Sequence, residues 1–79
     1  MRVEVHDSAR RHGIEDADVV HAVDHALAVE DAGEDPDRYL VLGADRAGNL
    51  LEVVVLVTDE VQIAIHAMPM RPKFRRLLP

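Results

Sequence analysis

Cysteine is absent from the 79 residues. That excludes a disulfide framework, a thiol nucleophile and any zinc site built on thiolates. Aromatic side chains are nearly absent as well: Tyr39 and Phe74 stand alone, with no tryptophan. Base recognition by stacking usually draws on several rings, so it has little to work with here. No apolar run approaches the roughly 20 residues that cross a bilayer. The longest, Val53 to Val57, follows Leu50, Leu51 and Glu52 and has the length of a strand. The opening residues, Met1 to Asp7, contain Glu4 and Asp7 and no apolar signal region, which reads as a cytosolic chain without a membrane partner.

What is present describes one small domain spanning residues 1–79. A chain this short buries only about 60% of the surface its unfolded form exposes. Its stability margin is thin, and a protein partner or a second copy forming a homodimer could widen it. Hydrophobic residues are 48% and charged residues 30%, the balance of a folded protein rather than a disordered one. The net charge of −6 is unevenly spread. Residues 1–40 hold 4 basic and 11 acidic side chains, and residues 41–79 hold 5 and 4. No acid follows Glu60, while Arg71, Lys73, Arg75 and Arg76 crowd the end. The acidic balance opposes tight non-specific binding to nucleic acid. The basic tail leaves two readings open, a focused anionic contact or a solvated helix end.

Val3 and Val5 alternate with Glu4 and His6, which predicts a short first strand. Asp7 and Ser8 can cap a helical turn through Arg11, and Gly13 suits the left-handed position after it. Glu15, Asp16 and Asp18 then open a second helix, predicted from about Asp16 to Leu27 with Val19, Val23, Ala26 and Leu27 as its buried stripe. The stretch Glu30 to Asp37 is an acidic loop punctuated by Gly33 and Pro36, with Ala28 to Asp31 a candidate edge strand. Three strands follow: Tyr39 to Gly43, Leu50 to Val57, and Val61 to Ala67, joined by turns at Asp45–Asn49 and Thr58–Glu60. The middle one is apolar on both faces except at Glu52, as a covered central strand would be. Pro69 and Pro72 bracket the start of a last helix bearing Phe74, Leu77 and Leu78. The expected fold is α+β: an antiparallel sheet of three to four strands, two N-terminal helices and a C-terminal helix.

These local words resemble a known family. His12-Gly13-Ile14 before an acid-started helix is similar to the Lys-His-Gly-Val segment of BrnT-type toxins. Leu42-Gly43 and then Gly48-Asn49-Leu50-Leu51-Glu52-Val53-Val54 resemble that family's central hairpin. Ile63 to Ala67 resembles its final strand, and Arg71 to Leu78 its closing Arg-rich helix. The resemblance runs over nearly the whole chain. It implies a RelE-like fold and the toxin half of a type II toxin–antitoxin pair, an endoribonuclease acting on messenger RNA and neutralised by a cognate antitoxin. Arg11 keeps the family's basic residue before His-Gly. Met68 stands where the family ends its last strand in arginine, and His66 where it usually has serine. The Met68 departure supports an alternative, a non-catalytic partner-binding module on the same fold.

Metal-independent RNA cleavage needs a base for the 2′-hydroxyl, an acid for the leaving 5′-oxygen and positive charge around phosphorus. Histidine serves either of the first two roles near neutral pH. The candidates are His12 and His66 as the titrating pair, with Arg71 as a third catalytic group and Arg11, Arg46, Lys73 and Arg75 binding the RNA. No metal or cofactor is called for. The competing structural roles are a half-buried strand histidine bonded to a carbonyl for His66, and capping beside Gly13 for His12. His21 and His25, at i and i+4, have the spacing of a metal pair, but Ala22 replaces the glutamate of a metallopeptidase motif, and the pair also reads as a solvated face. Tyr39 reads as core or edge packing, Phe74 as the anchor of the last helix, and Met68 and Met70 as core or interface fill. The acidic loop is either solvated or a docking patch for a basic partner.

Overall fold

The computed structural model describes residues 2–34 and 36–79. Met1, at the start of the leader reading, and Asp35, within the acidic loop, lie outside them. The alternating valines form β1 (Arg2–Val5), which a 3-10 turn (Asp7–Arg10) follows. Gly13 then takes φ 78°, the left-handed step its position requires. The acid-started helix α1 spans Asp16–Asp24, and β2 follows at once as Ala26–Gly33. The rest is a meander of β3 (Arg38–Ala44), β4 (Leu50–Val57) and β5 (Val61–Pro69), ending in a second 3-10 turn (Pro72–Leu77).

The five strands make one sheet in the order β1-β5-β4-β3-β2. β2 to β5 pair antiparallel, and β1 returns parallel beside β5, with Val5 opposite Ala64. The chain therefore leaves one edge, crosses a face through α1, and enters the opposite edge as β2. Alternation sorts the side chains. Val41, Leu51, Val53, Val55, Ala64 and Ala67 meet Ala9, Val19 and Ala22 in one buried layer. Each fully buried valine or leucine there contributes roughly 1.5–3 kcal/mol. Gly43 lies directly beneath α1, where a Cβ would stand 2.1 Å from the Ala22 carbonyl oxygen. The opposite face carries the cross-strand row Ala28, Leu42, Glu52, Met68 and beside it the row Glu30, Leu40, Val54, His66. No helix among the described residues is long and apolar enough to cross a membrane.

The architecture corrects the expected one. The sheet is mixed and five-stranded, not an antiparallel sheet of three or four strands. In place of two N-terminal helices there is one α-helix after a 3-10 turn, and the C-terminal helix is a 3-10 turn. The RelE-like arrangement expected from the resemblance falls with them. Each difference has a physical cause. A four-residue segment cannot nucleate an α-helix, and the six residues from Pro72 bury none of their number to stabilise one. α1 stops at Asp24 because His25 leaves helical backbone, at φ −119° and ψ 42°, and the next residue pairs with β3. Ala26 and Leu27 thus leave the expected helical stripe. Leu27 sits at a register shift in β2 and is 50% exposed. The front half of the acidic loop is strand, its charges pointing to water along a sheet edge.

Candidate functional site

A bulge in β5 prepares the site. Val54 pairs with His66 and Val55 with Ala64, so Ile65 is the extra residue and the strand turns there. The displaced Ile65 carbonyl accepts a hydrogen bond from the Ser8 hydroxyl at 2.6 Å. The His6 backbone N–H donates to the Ala64 carbonyl at 2.9 Å, and the His6 ring caps the first 3-10 turn by accepting from the Ser8 N–H at 3.1 Å. Arg10 fixes the far end of that turn by donating to Asp7, to both carboxylate oxygens of Asp16 (2.9 and 2.8 Å) and to the Val5 carbonyl (3.2 Å). The loop between Arg10 and Asp16 is thereby closed end to end by its own ion pair, and the turn before it is bonded to β5. It presents His12 to His66 edge-on, with ring centroids 5.8 Å apart and planes at 77°.

His66 has a second partner. Its Nε2 lies 3.1 Å from Oε2 of Glu52, a side chain only 1% exposed. Arg71 closes on the same carboxylate. Its backbone N–H and Nε donate to Oε1 at 3.0 and 2.9 Å, and its Nη2 donates to Oε2 at 2.7 Å. A buried carboxylate without partners would be costly, and this one has all its acceptor directions filled. Burial alone pushes the Glu52 carboxyl up, but the Arg71 guanidinium and N–H and the His66 ring outweigh it and bring it from 4.5 down to about 2. Glu52 hydrogen bonding in turn raises Arg71 above its ordinary value. The guanidinium also lies 5.5 Å from the Phe74 ring centroid, and Lys73 Nζ lies 5.1 Å from it.

Of the residues singled out from the sequence, His12, His66 and Arg71 gather on one patch around Glu52. Lys73 borders it through Phe74. Arg11 and Arg75 are exposed, Arg11 as the neighbour of His12 and Arg75 farther along the C-terminal turn. Arg46 is elsewhere. From the β3–β4 turn it bonds Asp18 (Nε to Oδ1, 2.8 Å) and Glu15 (Nη2 to Oε2, 2.9 Å), clasping the start of α1. Its guanidinium is occupied as a structural clasp. His21 and His25 stack at 4.1 Å and donate through Nδ1 to the carbonyls of Ala44 and His21. Among the described residues no group of three or more His, Asp or Glu side chains gathers as metal ligands would. Tyr39 packs against the core layer.

Sequence reasoning named no role for Glu52. Its signal was the single charge in Leu50 to Val57: a carboxylate within a two-sided apolar strand must be paired. Met68, the register partner of Glu52, carries no charge, and Arg71 supplies a guanidinium to that row three residues later. No family model, curated protein or solved structure matches this chain.

Proposed function

We propose that this chain is a small endoribonuclease of the cytoplasm that cleaves messenger RNA without a metal ion, and that it is the toxin half of a toxin–antitoxin pair. The observation that carries the reading is the convergence of His12 and His66, from segments remote in sequence, beside a guanidinium. One imidazole takes the proton of the substrate's 2′-hydroxyl. The 2′-oxygen attacks phosphorus, the bond to the 5′-oxygen breaks, and the other imidazole, protonated, gives its proton to that oxygen. The products are a 2′,3′-cyclic phosphate and a 5′-hydroxyl. Arg71 shares its charge with Glu52 and is 45% exposed, so Arg11 and Lys73 at the margin offset most of the charge that builds on phosphorus, with the open side of the Arg71 guanidinium beside them. The two rings touch, so the phosphate would lie across their outer rims rather than between them. The position where Met68 departs from the family pattern is offset by Arg71 on the same row.

The test is gel-resolved cleavage of labelled messenger RNA by the isolated chain in EDTA, with ribosomes and without them. Discrete products ending in a cyclic phosphate, and no cleavage of an all-DNA copy, are the expected result. Intact RNA in every condition sinks the reading, as does cleavage at the wild-type rate by His12→Ala or His66→Ala.

A second reading, a partner-binding module, has its own observation. Leu27 and Val29 are 50% and 55% exposed on β2, an edge strand that also carries Glu30 and Asp31. Those acids disfavour pairing with β2 of a second copy and suit an extended, apolar segment bearing lysine or arginine, such as an antitoxin strand. A homodimer in sedimentation that Val29→Lys dissociates removes that assignment.

A further inference from the structure

Glu52 gives each of its two oxygens a different task. Oε1 accepts from the Arg71 N–H and Nε, and Oε2 accepts from Arg71 Nη2 and faces His66 Nε2. An ionised carboxylate can only accept. The nitrogen facing it must therefore carry the proton whenever the His66 ring is neutral. We propose that Glu52 is a positioning residue that holds His66 as its Nε2–H tautomer, so that Nδ1 is the atom which takes the substrate proton, and that ties this ring to the basic C-terminal turn through Arg71. The assignment of Nδ1 to a reaction rests on the ribonuclease reading. The tautomer and its cause do not.

The surroundings make the assignment specific. Glu52 is 1% exposed, and four contacts fix its orientation, so it has no water-filled alternative. His21 and His25 supply an internal contrast, because each faces a carbonyl oxygen through Nδ1 and is held as the opposite tautomer. Replacing the carboxylate by a carboxamide tests the cause. In Glu52→Gln the amide oxygen is claimed by the two donors of Arg71 at Oε1, and Arg71 Nη2, which loses its acceptor at the Oε2 position, turns to solvent. The amide NH2 then faces His66, and Nε2 must accept from it, which drives the proton to Nδ1.

The experiment is long-range proton–nitrogen correlation of the histidine rings in the ¹⁵N-labelled full chain, at a pH where the rings are neutral. The wild type should show Nε2–H at His66 together with Nδ1–H at His21 and His25. Glu52→Gln should move His66 to Nδ1–H. A wild-type His66 with Nδ1–H overturns the proposal, and this spectrum decides it even where the variant does not fold. A folded Glu52→Gln that keeps the wild-type pattern overturns the causal role. In a cleavage assay Glu52→Gln should lower kcat on the order of 10²-fold. Absent cleavage by the wild type, with the expected tautomers in place, discards the ribonuclease reading and leaves the positioning role standing.

Discussion

Gly43→Ala adds one methyl group at a point where the backbone of α1 leaves no room for it. The new Cβ would stand 2.1 Å from the Ala22 carbonyl oxygen and 2.9 Å from its carbon. No rotamer change relieves a contact with backbone. The helix and β3 must separate by about 1 Å before the contact becomes tolerable, in an interior that packs like a crystal. That movement lifts Val19 and Ala22, both 0% exposed, off the sheet. Overpacking a dense core costs about 1–3 kcal/mol, and a backbone collision belongs at the upper end. A domain of this length has about 4–12 kcal/mol in total. At roughly 4–8 °C per kcal/mol, a loss near 3 kcal/mol lowers Tm by roughly 12–24 °C. Thermal melts followed by circular dichroism measure it. Gly48→Ala is the control: Gly48 has φ +88° and no atom within 4 Å of its built Cβ, so it carries only a backbone cost of about 1–2 kcal/mol. Gly43, whose backbone is ordinary, should be the worse site. A Gly43→Ala melt within about 3 °C of wild type, or a Gly48→Ala protein that melts lower, refutes the packing argument.

Acid should destabilise the fold through Glu52. Its carboxyl is held at about 2 against 4.5, so its contribution is complete above pH 4.5 and is lost as pH falls toward 2. The full linkage is about 3 kcal/mol, and screening at the half-exposed Arg71 brings the expected loss to about 1–2 kcal/mol. Asp16 and Asp18, lowered by Arg10 and Arg46, act in the same direction, so the Glu52→Gln melt over pH 5 to 2 isolates the Glu52 share by being flatter. An identical pH dependence in the two proteins contradicts the assignment. His12→Ala and His66→Ala should each lower cleavage by roughly 10²–10⁴-fold, and His12→Ala, exposed, should keep the wild-type melt; initial rates and melts on one preparation check both. Arg46→Ala should slightly lower stability and leave RNA affinity unchanged, because Arg46 clasps the start of α1 through Asp18 and Glu15 and is not joined to the His66–Glu52–Arg71 cluster. A binding titration showing weakened RNA affinity in that variant returns Arg46 to the site.

The elements with a strong local signal were legible. Leu50 to Val57 is an apolar run broken only at Glu52, and β4 has those bounds. Gly48-Asn49 marks a turn because only glycine is at ease at positive φ, and the chain turns there. β2 was legible only in its middle, Ala28 to Asp31, and its ends were missed because an edge strand open to water has no need of alternation. Its acids look like a loop, and Ala26 and Leu27 continue the helical spacing of Val19 and Val23 by coincidence. The parallel return of β1 beside β5 depends on a crossover no local pattern encodes. His12, His66 and Arg71 could be named from chemistry and from the resemblance, but what joins two of them is Glu52. Its partners lie 14 and 19 residues away. Arg46 was assigned to RNA because charge can be read from a sequence and the place of that charge on the fold, here at the start of α1, cannot.

The charge asymmetry of the chain acquires a geometry in the fold. Glu30 and His66 lie in one cross-strand row, with Leu40 and Val54 between them. Three inter-strand spacings, about 14 Å, therefore separate the acidic edge from the histidine patch. That exceeds the roughly 10 Å over which exposed charges act in 0.1 M salt. The acids of β2 can then face a basic protein segment without repelling a phosphate at His66, and the arginines near His66 can meet an anion without neutralising that edge. A negative net charge, which argues against nucleic acid when spread evenly, argues nothing of the kind when a strip of leucine and valine divides it from the basic turn. The same division makes the two proposed roles compatible. A strand added at β2 continues the sheet on the side away from His12 and His66. Such a partner would silence the site through the positions of β3 and β4, or through a further segment reaching across the face that carries Leu40 and Val54.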